Sequence, residues 1–228
     1  MSGDMSGDLR AVVFDLDGTL VDSLAYIVRA MRGAFASEGM AVPPDHAIRQ
    51  IVGLSLDAAI TQLAPQAKGL LNERLVSAYK DTYWSAHASG EGVAPLFDGV
   101  EAVLDRLDAA GFVLAIATGK GRRGLREALE SHDIRHRFAS LQSADDAPGK
   151  PDPTMLRQAL DECGVEARNA VMIGDTIFDL QMAANADVPS VAVTWGYHDV
   201  EILRSAVPNA IIDSFVQLDD ALAEILPK

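Results

Sequence analysis

The sequence predicts an α/β fold: a doubly wound, Rossmann-like parallel sheet with a small all-helical segment inserted after the first strand. Three observations carry this. The chain opens on a short apolar run, Ala11 to Phe14, that has no polar alternation, as a strand covered on both faces requires. From Val93 onward, apolar runs of four to six residues alternate with amphipathic helical patterns, as parallel strands joined by crossover helices do. Between the two lies a stretch with helical periodicity only.

The elements follow in order. After Phe14 the chain reads Asp-Leu-Asp-Gly-Thr-Leu-Val-Asp-Ser, with Gly18 allowing a tight turn and Ser23 a natural N-cap. Leu24, Ile27, Val28, Met31 and Phe35 recur three and four apart, and Gly39 ends that helix. Pro43 and Pro44 break the chain; helices are expected at 45–52 and 56–64, stopped by Gly53 and Pro65, and at 68–87. Tyr79, Tyr83 and Trp84 on the last of these are expected to serve packing. Ser89-Gly90-Glu91-Gly92 reads as a hinge.

Beyond it, Asp98 is placed to cap a helix over 99–110, and Phe112 to Ala117 forms a strand that stops at Thr118. A helix over 123–131 and a strand over 138–142 come next. Asp152 and Pro153 then start a helix that runs to Cys163. Strand 170–173 ends in Gly174-Asp175, helix 177–186 follows, strand 190–193 runs into Thr194-Trp195-Gly196, and strand 210–212 with helix 215–225 closes the sheet.

Composition narrows the function. Among 228 residues, 19 Lys and Arg face 33 Asp and Glu, a formal charge of −14. No basic run tracks a phosphate backbone, so nucleic acid is not expected as a partner. A single cysteine, Cys163, gives neither an internal disulfide nor a zinc-ligand pair and reads as a buried thiol. His132 and His136 lie four apart without the glutamate a zinc-peptidase helix needs. The leading Met-Ser-Gly-Asp repeat is acidic and has no apolar stretch, so a short disordered lead-in is expected rather than a signal peptide. No apolar run approaches the ~20 residues of a membrane span, and a cytoplasmic location is expected.

Three strands end in polar residues that share the ligand edge of such a sheet: Asp15 and Asp17, then Thr118 with Lys120, then Asp175 with Asp179 four residues on. Four carboxylates crowded there would repel one another and a phosphate alike. The arrangement makes sense with a hard divalent cation, Mg²⁺, and a nearby lysine, Lys150. A carboxylate that attacks phosphorus in line can store the group as an acyl phosphate, so the chemistry indicated is phosphoryl transfer. Asp179 also reads as a favourable acid in the first turn of a helix.

Asp15-Leu16-Asp17-Gly18-Thr19-Leu20 resembles motif I of the haloacid dehalogenase-like phosphohydrolases. The resemblance runs on to Trp195-Gly196-Tyr197, nearly the whole chain, and within the superfamily Leu-Val-Asp-Ser, Pro95-Leu96-Phe97-Asp98-Gly99 and Gly174-Asp175-Thr176 are similar to phosphoglycolate phosphatases. It implies Asp15 as nucleophile, Asp17 as general acid and base, and Thr118 with Gly119 and Lys150 around the phosphate. It further implies Asp15, Asp17 and Asp175 around Mg²⁺, Asp17 through its backbone carbonyl, with Asp179 as a supporting acid. Residues 1–23 and 92–228 would form the catalytic core and 24–91 a helical cap over a small phosphorylated metabolite, with 2-phosphoglycolate as first choice. Arg49, just before the Gly53 turn, is the cap residue expected to reach a substrate carboxylate.

Two positions depart from the family pattern. Gly119 stands where Asn is common, which removes a side-chain amide from the phosphate pocket, and Asp187 stands where a helix commonly ends in Gly. A phosphomutase, phosphotransferase or pyrophosphatase is compatible with the same residues. Dehalogenation is disfavoured, because the family's dehalogenases lack an acid at the Asp17 position. A different class enters through Gly119-Lys120-Gly121-Arg122-Arg123-Gly124, which matches Gly-x-Gly-x-x-Gly between a strand and a helix, with Asp145 or Asp146 near the distance of a ribose-binding acid. That reading, a nucleotide-binding regulatory domain, leaves the acids at 15 and 17 and Lys150 unexplained.

Overall fold

The computed structural model describes residues 9–88 and 93–226, with the side chains of 87 and 88 left aside. The expected lead-in at 1–8 and hinge at 89–92 lie outside the described residues. Six parallel strands form one sheet in the order β3-β2-β1-β4-β5-β6: β1 (Ala11–Phe14), β2 (Val113–Ala117), β3 (Ser140–Gln142), β4 (Ala170–Gly174), β5 (Ser190–Val193) and β6 (Ala210–Ile212). The chain winds outward from β1 in both directions, so the order reverses between β1 and β4. That is the switch point where such sheets open a crevice.

β1 shows why its run lacks polar alternation. Val12 and Phe14 join the apolar cluster on one face, with Leu114, Ile116, Val171 and Ile173, while Ala11 and Val13 join the other, with Ala115, Ala117, Ala170 and Met172. The first face carries helices α5 (Val100–Ala109), α6 (Arg122–Ser131) and α10 (Leu218–Ile225); the second carries α7 (Thr154–Cys163) and α8 (Ile177–Asn185). Alanines dominate the second face, which lets α7 and α8 approach closely. Each large apolar side chain fully buried there or on the first face contributes about 1.5–3 kcal/mol. Cys163 is buried at the end of α7.

Between β1 and α5 stand four helices, α1 (Leu24–Ser37), α2 (Asp45–Arg49), α3 (Leu56–Leu63) and α4 (Leu70–Ala88). They share their own apolar cluster around Met31, Phe35, Ile48, Ile60 and Leu75. The two chain crossings between this cluster and the sheet are hydrogen bonded to each other: Asp22 N donates to Pro95 O at 2.8 Å and Phe97 N to Leu20 O at 3.0 Å.

Several expectations need correction. Ser23 precedes α1 but makes no capping bond; its hydroxyl is committed to Asp17 instead. Asp98 does not cap α5 either, because Gly99 occupies the flanking position in a left-handed conformation at φ +87°. The second helix ends at Arg49, and 50–52 turn into Gly53, which takes φ +99°. The last helix begins at Leu218, preceded by a 3₁₀ turn over 215–217. The six-residue α9 (Val200–Ser205) was not anticipated, being too short to show a period. Asp152 does accept from Thr154 N, at 2.9 Å, and Asp187 holds a left-handed turn at φ +57°.

Candidate active site

Asp15 follows the last residue of β1, and its backbone N still bonds to Ile173 O at 2.9 Å, so the ladder with β4 fixes where the side chain starts. Asp175 leaves the neighbouring strand β4 on the same edge. Its Oδ1 accepts from Thr19 Oγ1 at 3.0 Å and its Oδ2 from Tyr197 N at 2.8 Å. Gly18, at φ +92°, makes this approach possible, because a Cβ there would lie 2.2 Å from Asp175 Oδ2. Asp179 sits one turn into α8 and divides its two oxygens. Oδ2 accepts from Thr176 N at 3.0 Å and Thr176 Oγ1 at 2.7 Å, closing the helix start, while Oδ1 lies 2.5 Å from Lys150 Nζ. It therefore has both the first-turn role and a place in the site.

Lys150 reaches the same point from the loop before α7, its Nζ 2.7 Å from Asp15 Oδ1. Burial pushes its ammonium pKa down, but Asp15 and Asp179 more than reverse this and the net shift is upward, so the charge is held. One oxygen of each of Asp15, Asp175 and Asp179 falls within 4.8 Å of the others, all three residues being buried. Burial pushes Asp15 up to about 7, with Lys150 opposing and Asp179 and Asp17 adding to the rise. Asp175 is also held well above the usual carboxylate range, by burial first and then by Asp179 and Asp15. Asp15 Oδ1 is held in the ion pair with Lys150, and Oδ2 accepts no hydrogen bond. Buried, mutually repelling and under-satisfied carboxylate oxygens are what a hard divalent cation relieves, so these residues fit a metal such as Mg²⁺.

Asp17 is not part of that acidic cluster. Its carboxylate accepts from Ser23 Oγ at 2.6 Å and pairs with Lys120 Nζ at 3.0 and 3.1 Å. Thr118, at the end of β2, is buried, and its Oγ1 accepts from Lys120 N at 3.2 Å. Asp15, Asp17, Thr118, Gly119 and Lys120 all line one cavity of about 610 Å³ that opens between the sheet edge and helices α1, α3 and α4.

Those helices rest on the sheet edge through close backbone contacts. A Cβ on Gly119 would meet Gly53 O at 2.3 Å and Leu54 O at 2.6 Å, so the missing Asn side chain is accounted for by the turn that fills its space. His198 bridges the two parts: its Nδ1 accepts from Ile177 N at 3.1 Å, which leaves Nε2 as the donor to Gln50 O, also 3.1 Å away. Arg49 lies on this same seam, donating to Gly196 O at 3.3 Å with Asp199 Oδ1 at 3.9 Å, and is not among the residues lining the cavity. The Gly-x-Gly-x-x-Gly loop is committed internally. Asp145 Oδ2 accepts from Arg122 N at 2.7 Å at the start of α6, so a carboxylate of the chain itself sits where the phosphate of a dinucleotide would bind.

On the opposite wall the packing expectation holds for Tyr79, which packs against the helical apolar cluster, and the place of the three aromatic residues on the cavity was missed. Tyr79, Tyr83 and Trp84 of α4 line the cavity, with Lys120 Nζ 5.1 Å from the Tyr83 ring and the Arg123 guanidinium 3.9 Å from that of Trp84. The available signal was three aromatic residues within six positions of an otherwise largely polar helix.

Parallel sheet, acidic edge and helical insert together define a class, the α/β phosphohydrolases that work at the carboxyl end of a central strand. A family model described as haloacid dehalogenase-like hydrolase matches residues 12–193, and the chain belongs to that family, as a phosphoglycolate phosphatase-like phosphoric monoester hydrolase. It is 34% identical to "Probable phosphatase IndB" of Dickeya dadantii over 94% of both chains. It is 30% identical to a phosphoglycolate phosphatase of Vibrio parahaemolyticus, over 95% of this chain and 97% of that one. A predicted phosphatase from Clostridium acetobutylicum has a similar crystal structure, with a TM-score of 0.85 and 25% identity over 95% of this chain and all of its own.

Proposed function

We propose that this protein hydrolyses a small phosphomonoester with Mg²⁺, through an aspartyl-phosphate on Asp15. The observation that carries the reading is the buried Asp15 carboxylate, ion-paired with Lys150 through Oδ1 and without a hydrogen-bond partner on Oδ2, facing an open cavity. Asp15 attacks phosphorus as the ester P–O bond breaks, and Asp17 gives its proton to the departing alkoxide. Asp17 then takes a proton from water, whose oxygen attacks phosphorus and frees inorganic phosphate and Asp15. Lys150 and Thr118 hold the phosphoryl oxygens, with backbone N–H groups near Gly119 in place of the usual Asn. Asp15, Asp175 and the Asp17 carbonyl would hold the Mg²⁺, with Asp179 in support; bound there, it neutralises the carboxylates and polarises the phosphoryl group. Residues 24–91 act as a cap on the core of 1–23 and 92–228.

2-Phosphoglycolate, after which several relatives are named, is the reference substrate. A phosphomutase or phosphotransferase differs only in passing the phosphoryl group to an alcohol, and a pyrophosphatase only in its leaving group. Phosphate release from a panel of phosphomonoesters and pyrophosphate, with and without Mg²⁺, tests the reading. Turnover is expected to require Mg²⁺ and to fall by about 10⁴-fold or more in Asp15→Asn. Full activity in that variant overturns the reading.

A further inference from the structure

The cavity is larger and less polar than 2-phosphoglycolate needs. Its 610 Å³ falls in the range of sites for drug-sized ligands, whereas a two-carbon acid adds only a handful of atoms to the phosphate. Beyond the sheet edge its lining includes an apolar part, with Ile27 and Met31 from α1 and Val76 from α4, beside the aromatic residues of α4. Tyr83 and Trp84 meet edge to face, ring centroids 5.2 Å apart and planes at 82°, and Tyr79 stacks on Tyr83 with centroids 6.2 Å apart. Such a set of faces and edges suits a flat ring.

Charge points the same way. Of the two cations near the aromatic wall, Lys120 is paired with Asp17, whereas Arg123 keeps its charge with its guanidinium 3.9 Å from the Trp84 ring. The walls also carry Asp57, Asp81 and Asp145, with Lys80 exposed among them. A second anionic group on the substrate, such as a carboxylate, meets more carboxylates than cations on these walls. We infer that the preferred substrate is a phosphomonoester whose alcohol carries an uncharged aromatic or heteroaromatic ring seated against Tyr79, Tyr83 and Trp84. This rests on the phosphatase reading above and narrows its substrate class.

The test compares kcat/KM for 2-phenylethyl phosphate, 2-cyclohexylethyl phosphate, ethyl phosphate and 2-phosphoglycolate. The first three leave as alkoxides of similar basicity, so differences among them report the cavity and not the chemistry. The phenylethyl ester is expected to exceed the ethyl ester and 2-phosphoglycolate by at least about tenfold, and the cyclohexyl ester by less. In Trp84→Ala the phenylethyl-to-ethyl ratio is expected to fall severalfold, and in Trp84→Phe to recover most of it. The ratio is taken within each variant, so partial misfolding cancels. A phenylethyl ester no better than the ethyl or cyclohexyl ester, a better 2-phosphoglycolate, or an unchanged ratio in Trp84→Ala overturns the inference while leaving the phosphatase reading standing. No Mg²⁺-dependent hydrolysis of any ester overturns both.

Discussion

The two walls of the cavity are built on opposite principles. The sheet-edge wall is backed by a buried polar network: Asp15, which lines the cavity, and Lys150, Asp175 and Asp179 behind it come from two strand ends, a loop and the first turn of α8, and are held by contacts of 2.5–3.0 Å, with Thr19, Thr176 and Tyr197 among the partners. The helical wall mixes apolar and aromatic side chains with the exposed Asp57, Lys80 and Asp81, and its aromatic residues lie half-buried. A network of this kind fixes positions and tolerates no missing member, whereas an apolar wall fixes shape and tolerates exchange. One wall suits a single chemistry, the other a choice of substrates.

Removing one member of the network gives the largest expected effect on stability. Lys150→Ala leaves Asp15 and Asp179 buried without their counter-charge and is expected to lower unfolding free energy by about 3–5 kcal/mol, read from urea denaturation without metal. A loss under about 1 kcal/mol would mean that the network relaxes as readily as the helical wall.

Metal should act on the polar wall alone, and with a defined pH dependence. Asp15 is raised from its model-compound value of 3.8 to about 7, so the folded state binds its proton more tightly than the unfolded chain does. That contribution to stability is present below about pH 4 and is lost as pH rises toward about 7. A cation takes the proton's place. Mg²⁺ is therefore expected to raise the melting temperature more at pH 8 than at pH 5.5, the stabilisation at pH 8 being about 2.7 kcal/mol where its concentration is 100 times the Kd at that pH. An equal shift at both values would place the ion elsewhere.

The seam between the walls gives the smallest effect. Gly119→Ala puts a methyl where Gly53 O and Leu54 O now stand, so the turn must move away from the sheet edge. We expect kcat/KM for phosphate release to fall about tenfold, roughly 1.4 kcal/mol in the barrier, with a loss of about 1–3 kcal/mol in stability from the backbone clash. Unchanged kcat/KM would show that the turn moves freely without consequence for the site.

The same contrast explains what could be read from the sequence. β1, β2 and β4 were legible because each is an apolar run ended by a polar residue, and Asp15, Thr118, Lys150 and Asp175 were legible because their order and spacing stand out from any structural need. Arg49 was not. Its proximity to the Gly53 turn was visible, but whether its guanidinium meets the cavity or Gly196 depends on how a helix seats on a sheet 147 residues away in sequence. For a related reason the sequence shows the packing of Tyr79 but not that it, Tyr83 and Trp84 also border the cavity. An aromatic residue on a helix looks the same whether its neighbour is a core or a void, and periodicity records the face without recording what lies opposite. Ser23 shows the reverse case, a residue with a sound local role that a distant carboxylate had already claimed.

Gly119 and the Gly53-Leu54 turn also have a history to keep in common. Because the two carbonyls occupy the space of a side chain at 119, that position is not free to change first: a larger residue at 119 is tolerated only after the turn has been rebuilt, and the turn keeps its path only while 119 stays bare. Gly53 is bound from its other side as well, where a Cβ would stand 2.9 Å from Thr176 Oγ1. Descendants of this chain would therefore inherit the three positions as a single trait, and restoring an amide to the phosphate pocket would require an ordered series of substitutions that begins in the helices and not at the site.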